Sequence, residues 1–105
     1  MKMCSLLSLM AFLTLPGLPA EAGGTNQVTI DNFSFTPQTL TVPVGTKVTW
    51  INKDDVPHTV TGDDKHFVSR ALDTDQQFSF TFTTSGTNNY YCSVHPMMTG
   101  RIIVR

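Results

Sequence analysis

Apolar and polar residues alternate along much of the chain with a period of two, which is typical of β-strands. Glycine, proline, asparagine and aspartate interrupt these runs about every ten residues, as in β-sandwiches and barrels. The apolar residues that share one face of a predicted strand are Val28 and Ile30, Phe33 and Phe35, Leu40 and Val42, Val48 and Trp50, Phe78, Phe80 and Phe82, Tyr90 and Cys92, and Ile102 and Val104. The pattern predicts an all-β domain with Trp50, Phe78, Phe80 and Phe82 in its core.

Residues 62–77 give an ambiguous pattern. Their apolar residues fit one side of a short helix, but the aspartate-rich segments on either side are equally typical of loops. We favour a short strand followed by a turn.

The first 22 residues have the pattern of a secretory signal peptide. Lys2 precedes a leucine-rich apolar stretch, and Ala20-Glu21-Ala22 forms a small-x-small cleavage site. The apolar stretch is too short for a membrane span. We expect cleavage after residue 22, a single periplasmic domain over residues 23–105, and no membrane span in the mature chain.

Charge excludes some classes of partner. The chain has a formal net charge of −1, and removing residues 1–22 takes away one cation and one anion, so the charge stays the same. A nearly neutral domain lacks the basic surface that nucleic acids or anionic membranes require. We therefore expect no nucleic-acid partner.

The cysteine count is more informative than the charge. Cys4 lies in the predicted signal peptide, so the mature domain keeps Cys92 alone and cannot form an internal disulfide. An exported single thiol is either buried and inert, paired with another chain, or a metal ligand.

Around Cys92 the sequence Cys-Ser-Val-His-Pro-Met-Met joins two predicted strands. Thiolate, imidazole and thioether together are the ligand types of a blue-copper electron-transfer centre, which uses two histidines, one cysteine and a weak axial methionine. The loop supplies Cys92, His95 and a choice of Met97 or Met98. The second histidine must come from elsewhere, and His58 follows Pro57 at the end of another predicted strand.

Each of these residues has an ordinary structural interpretation when taken alone. A buried cysteine or methionine is usually a core residue, and a lone histidine is usually a polar loop residue. Structural roles do not, however, explain three features at once: the unpaired thiol, the Cys-x-x-His-x-x-Met order and the upstream Pro-His. Pro96 also restricts His95, and Pro57 has a fixed φ just before His58, so both approaches to the site are stiff.

Residues 92–98, residues 48–58 and the strand after Gly100 resemble the amicyanins, a bacterial branch of the cupredoxins. The resemblance extends over roughly residues 27 to 105 and implies a Greek-key β-sandwich of about seven or eight strands. It implies His58, Cys92, His95 and Met98 as the ligands of one copper ion. It also implies that Asn52 and the backbone N–H of Thr59 lie next to these ligands. Met97 stands where amicyanins commonly have an aromatic residue.

The resemblance implies a type I copper electron carrier and not an enzyme. His95 is expected to reach the surface through an apolar patch of Pro57, Pro96 and Met97. The implied redox partners are a c-type cytochrome and either a dehydrogenase or a copper reductase. The carrier itself is expected to be a monomer. Asp54 and Asp55 are interpreted as a solvated turn, and His66 as a surface residue.

Three alternatives are open. The same ligands suit a periplasmic copper storage or delivery protein. A fragment of a multicopper enzyme would need more than the three histidines present. A metal-free adhesion domain of the same fold would leave the unpaired thiol unexplained.

Overall fold

Alternation of apolar and polar residues produces eight β-strands over residues 26–105, the part of the chain that the computed structural model describes. The strands are β1 (Gln27–Asp31), β2 (Ser34–Thr36), β3 (Thr39–Val42), β4 (Thr46–Asn52), β5 (Thr61–Gly62), β6 (Gln77–Phe82), β7 (Gly86–Tyr91) and β8 (Thr99–Val104). The predicted signal peptide, with its cleavage site and Cys4, lies outside the described residues. Within residues 26–105 no helix has the length and apolar character needed to cross a membrane.

The strands form two four-stranded sheets that face each other. One sheet has the order β2-β1-β4-β6, and the other has the order β3-β8-β7-β5. The pairs β1–β4 and β3–β8 are parallel and the other pairs are antiparallel, so the chain crosses between the sheets several times. This arrangement confirms the predicted all-β sandwich.

The core consists of the residues that alternation places on the inner strand faces. Trp50 and Tyr90 are its largest fully buried side chains, and their rings meet edge to face with centroids 5.4 Å apart. Burial raises the pKa of Tyr90 to about 12, and the nearby Trp50 offsets only part of this effect. The phenol is therefore neutral at physiological pH, and the core holds no tyrosinate charge.

The three phenylalanines of β6 are not equally buried. Phe82 is buried as predicted, but Phe78 and Phe80 are only partly buried and pack against the margin of the core. The reason is that β6 is the outermost strand of its sheet, so no neighbouring strand covers its free side. Alternation identified the correct face and could not show that the strand lies at an edge.

Residues 62–77 are not helical, and the strand predicted there is reduced to the end of the two-residue β5, followed by a turn. After β5 the chain turns back on itself, with single bridges between Thr61 and Val68 and between His58 and Leu72. Phe67 and Leu72 enter the core, while Val68 stays exposed. This return segment pairs with the residues around His58 and holds them in an extended conformation.

Gly100 allows β8 to pass close to the Tyr90 ring, because a Cβ at this position would overlap that ring. We predict that Gly100→Ala lowers the free energy of unfolding of the apoprotein by about 1–3 kcal/mol, the usual cost of overpacking a core. Chemical denaturation would measure the loss. The neighbouring, exposed Thr99→Ala is the control, and equal stability of the two variants would contradict the proposed overlap.

Candidate metal centre

Antiparallel pairing of β5 with β7 brings the two halves of the predicted site together. Thr61 pairs with Tyr91, so the residues just before Thr61 lie beside the residues just after Tyr91. His58 and Cys92, which are 34 positions apart in the sequence, meet in this way at one end of the sandwich. Both side chains are completely buried.

Three donor atoms converge at this end. Cys92 Sγ lies 3.7 Å from His58 Nδ1 and 3.8 Å from His95 Nδ1. All three atoms lie within 4.8 Å of one another. Zinc, a first-row ion, bonds to sulfur at about 2.3 Å and to nitrogen at about 2.0 Å. In a trigonal arrangement, these bond lengths would place each nitrogen about 3.7 Å from the sulfur. The observed separations fit a first-row transition metal.

The loop between β7 and β8 follows two successive turns. The N–H of His95 donates to the carbonyl of Cys92, and the N–H of Met98 donates to the carbonyl of His95. A third bond, from Cys92 N to Met98 O at 3.0 Å, closes the loop at its base. The Cys-x-x-His-x-x-Met spacing thus corresponds to two turns that return Met98 to a position opposite Cys92.

Burial separates the two methionines that the sequence left as candidates. The Met98 side chain is buried, with 6% of its surface exposed, whereas Met97 is 96% exposed. Met97 therefore belongs to the protein surface, and Met98 lies on the interior side of the loop with Cys92.

Thr59 connects the His58 segment to the Cys92 loop. Its backbone N–H donates to Cys92 Sγ at 3.4 Å, in agreement with the placement implied by the sequence resemblance. Its hydroxyl accepts a hydrogen bond from Ser93 N at 2.7 Å and lies 2.9 Å from Ser93 Oγ. These hydrogen bonds hold the His58 segment against the start of the Cys92 loop.

Asp54 contacts the outer edge of His58. Asp54 Oδ2 lies 2.7 Å from His58 Nε2, and the carboxylate also accepts hydrogen bonds from the backbone N–H groups of Asn32 and Phe33. Burial pushes the pKa of Asp54 upward, but the bonds from Phe33, Asn32 and His58 outweigh it and lower the pKa below its ordinary value of 3.8. The interpretation of Asp54 as part of a solvated turn is wrong, whereas Asp55 is exposed as expected.

Asn52 holds the segment before His58 and the return segment that pairs with His58. Its Nδ2 donates to the carbonyls of Val56 and Leu72, at 2.9 and 2.8 Å. Its Oδ1 accepts from the backbone N–H of Asp54 at 2.9 Å. Asn52 therefore supports the ligand segment without touching the donor atoms.

Phe33 is a residue of the site to which the sequence analysis gave no functional role. Its ring packs edge-on against both imidazoles, with centroids 5.4 Å from His58 and 5.0 Å from His95, and it is 51% exposed. Asn32 and Phe33 form the two-residue turn between β1 and β2, and both have positive φ, at 53° and 57°. Such turns favour Asn followed by Gly, so the Asn-Phe pair between two short strands was the available signal.

An apolar surface surrounds the exposed edge of His95. It is lined by Phe33, Val94, Pro96 and Met97, with Met98 beneath. Pro57, which was expected in this patch, is exposed but is not among the residues that line this surface. His66 is an exposed residue that pairs with Asp64 and lies against Phe67 and Phe80, so it takes no part in the cluster.

A Greek-key sandwich that holds two histidines and one cysteine at one end, with a methionine in the same loop, has the ligand set of the blue-copper class. The sequence profile of the cupredoxin-like domain family matches residues 3–104. The chain therefore belongs to the cupredoxin-like family.

Individual relatives agree with this assignment. An amicyanin from Paracoccus denitrificans is 37% identical over 93 residues, which cover 79% of this chain and 67% of that protein. A purple cupredoxin from Nitrosopumilus maritimus superimposes with a TM-score of 0.75 at 35% identity, covering 77% of this chain and all of the other. A Cu(I) form of an amicyanin mutant gives a TM-score of 0.73 at 33% identity, covering 78% of this chain and 83% of the other.

The Thr59 hydroxyl provides a test of how the two segments are joined. Thr59→Val removes the acceptor of the Ser93 N–H at nearly constant volume, and we predict that the apoprotein loses about 1–3 kcal/mol of unfolding free energy. Chemical denaturation measures this loss. Thr87→Val, at an exposed position of β7, is the control; a similar small effect in both variants would show that the Thr59 bond contributes little.

Proposed function

We propose that the protein is a type I copper electron carrier whose ligands are His58, Cys92, His95 and Met98. The observation that carries the proposal is the buried Cys92 thiol between two imidazole nitrogens at 3.7 and 3.8 Å. A soft thiolate with two imidazoles is the donor set that binds copper in electron-transfer sites. Bound copper supplies one-electron chemistry by alternating between Cu(I) and Cu(II).

The protein keeps the donor atoms in place. His58 and Cys92 are fully buried and are tied together through Thr59, while two turns define the His95 loop. Donor atoms that are already converged move little when the charge of the ion changes. This property favours rapid electron transfer, because little reorganisation accompanies each step.

Met98 is the axial ligand of the proposal. Its burial at the base of the loop supports this role, and the exposure of Met97 argues against the alternative. A thioether in this position is a weak ligand that tunes the reduction potential.

Electrons enter and leave through His95. Its imidazole is half-buried, and the apolar surface around it, with Phe33, Val94, Pro96 and Met97, provides a small docking area. Redox complexes characteristically bury a modest area and dissociate readily. An imidazole edge at the centre of such a surface lets a partner approach the copper closely.

Burial of the ligands favours electron transfer over copper storage or delivery. His58 and Cys92 have no exposed surface, so an incoming protein ligand reaches the site only from the His95 side. Copper transfer requires stepwise ligand exchange, whereas electron transfer requires only proximity. The protein is an electron carrier and not an enzyme.

The finer features of the proposal concern location and partners. We place the mature domain, residues 23–105, in the periplasm after cleavage of a signal peptide over residues 1–22. The resemblance to amicyanins supports a c-type cytochrome as one partner and a dehydrogenase or copper reductase as the other. A monomer suits this role, because one small face must serve both partners in turn.

The site class is tested by the visible spectrum of the Cu(II)-loaded protein. We predict an intense thiolate-to-copper charge-transfer band, because Cys92 Sγ is close enough to both imidazoles to bind the same copper ion. Cys92→Ala should abolish the band, while Ser93→Ala, which alters the exposed neighbour, should retain it. A colourless parent protein with added Cu(II) would refute the proposed function.

The axial ligand is tested separately. Met98→Gln should retain the charge-transfer band but lower the reduction potential, because a hard amide oxygen stabilises Cu(II) more than a thioether does. Met97→Gln is the matched control and should leave the potential unchanged. Protein-film voltammetry measures both values, and an unchanged potential in Met98→Gln would exclude Met98 as axial ligand.

A further inference from the structure

The Asp54 carboxylate is a buried anion with three donors. Asp54 Oδ1 accepts from Asn32 N at 2.6 Å, and Oδ2 accepts from Phe33 N at 2.9 Å and lies 2.7 Å from His58 Nε2. Only 8% of the surface of Asp54 is exposed to solvent. Buried charges occur where they are paired or fully hydrogen-bonded, and this carboxylate meets the second condition.

This contact determines which nitrogen of His58 carries the proton. An ionised carboxylate can only accept hydrogen bonds, so His58 Nε2 must be the donor. In the neutral imidazole the other nitrogen, Nδ1, then has a free lone pair, and Nδ1 is the atom that faces Cys92 Sγ. Asp54 therefore selects the tautomer in which His58 can bind a metal at Nδ1.

The same carboxylate holds the turn that carries Phe33. Positive φ is uncommon for a bulky side chain and persists only where the surrounding structure imposes it. Here the two strained residues, Asn32 and Phe33, each donate a backbone N–H to Asp54. The bonds stabilise the turn, and the turn places the Phe33 ring in edge-to-face contact with His58 and His95.

Asp54 is itself held rigidly. Its backbone N–H donates to Asn52 Oδ1, and its carbonyl accepts from Thr74 Oγ1 at 2.6 Å. The position of the carboxylate is thus set by three chain segments: the end of β4, the β1–β2 turn and the segment before β6.

Resting on the proposed copper function, we propose that Asp54 is a positioning residue of the metal centre. Its carboxylate orients His58 through Nε2, places a negative charge next to a ligand, and fixes Phe33 over both imidazoles. A histidine ligand that donates to a carboxylate becomes a better donor to its metal. A nearby negative charge also stabilises Cu(II) more than Cu(I), because the oxidised ion carries the greater positive charge. The residue therefore strengthens Cu(II) binding and lowers the reduction potential.

The primary test compares Asp54→Asn with Asp55→Asn, which makes the same charge change at the exposed neighbouring residue. Loss of a partner beyond the ligands typically weakens metal binding about 10- to 100-fold, and we expect this loss for Cu(II) in Asp54→Asn alone. If Cu(I) affinity falls about tenfold less than Cu(II) affinity, the reduction potential rises by about 59 mV. Competition with chelators of each oxidation state and voltammetry measure these quantities. Equal affinities and potentials in the two variants would overturn the proposal.

A second measurement needs no copper. Long-range proton–nitrogen NMR of the apoprotein should find the His58 proton on Nε2 in the parent and in Asp55→Asn. A proton on Nδ1 in the parent would contradict the orienting role. If Asp54→Asn does not fold, Asp54→Glu replaces it; its longer side chain keeps the charge but displaces the carboxylate. Cu(II) should then bind more weakly than to Asp55→Glu, and equal binding would again overturn the proposal.

These outcomes separate the inference from the function on which it rests. A parent protein without a charge-transfer band refutes the copper function, while the NMR measurement still tests the Asp54–His58 bond. A parent with the band, together with identical behaviour of the Asp54 and Asp55 variants, refutes only the role of Asp54.

Discussion

The pairing of the two-residue strand β5 with the end of β7 is the constraint on which the metal centre depends. This short contact brings His58 beside Cys92 across 34 positions of sequence. Closing so long a loop costs conformational entropy, which the many contacts of the completed sandwich must offset. The return segment after β5, through its bridges to Thr61 and His58, supports this edge of the sheet. The site is therefore a property of the whole closed fold.

The centre combines a rigid interior half with an accessible outer half. His58 and Cys92 lie in the sandwich, and Thr59, which follows His58, donates its backbone N–H to Cys92 Sγ, whereas His95 lies on a short loop at the surface. An electron carrier needs both properties, because rigid ligands reduce reorganisation and an exposed ligand shortens the distance to a partner. Placing the two requirements on different histidines lets one small domain meet both.

Asp54 and Phe33, which lie beside the ligands, each have a locally unfavourable feature. A buried carboxylate and a phenylalanine with positive φ each carry a cost on their own, yet each stabilises the other through the Asn32–Phe33 turn. Position 97 holds a methionine where amicyanins commonly have an aromatic residue. Here an aromatic ring reaches His95 from the β1–β2 turn.

Sequence patterns alone predicted the strands and most of the core. The alternation of Val48 with Trp50, or of Ile102 with Val104, is a local signal with a period of two, and the pleat of a strand converts it directly into a buried face. The loop donors were equally visible, since Cys92, His95 and the two methionines lie within seven residues and the turns between them are local. Met98 could be separated from Met97 only by resemblance until burial distinguished them.

Tertiary structure decided what depends on distant neighbours. Phe78 and Phe80 are half-buried because β6 is an edge strand, and no pattern within β6 records its place in the sheet order. Asp54 is 22 positions from Asn32, and Phe33 touches histidines that are far away along the chain. The sequence by itself thus determined the fold class, the donor types and their local spacing, because these follow from chemistry and short-range periodicity. The approach of His58 to Cys92 and the use of Asp54 and Phe33 beside it were settled only when the two sheets closed and brought remote segments into contact.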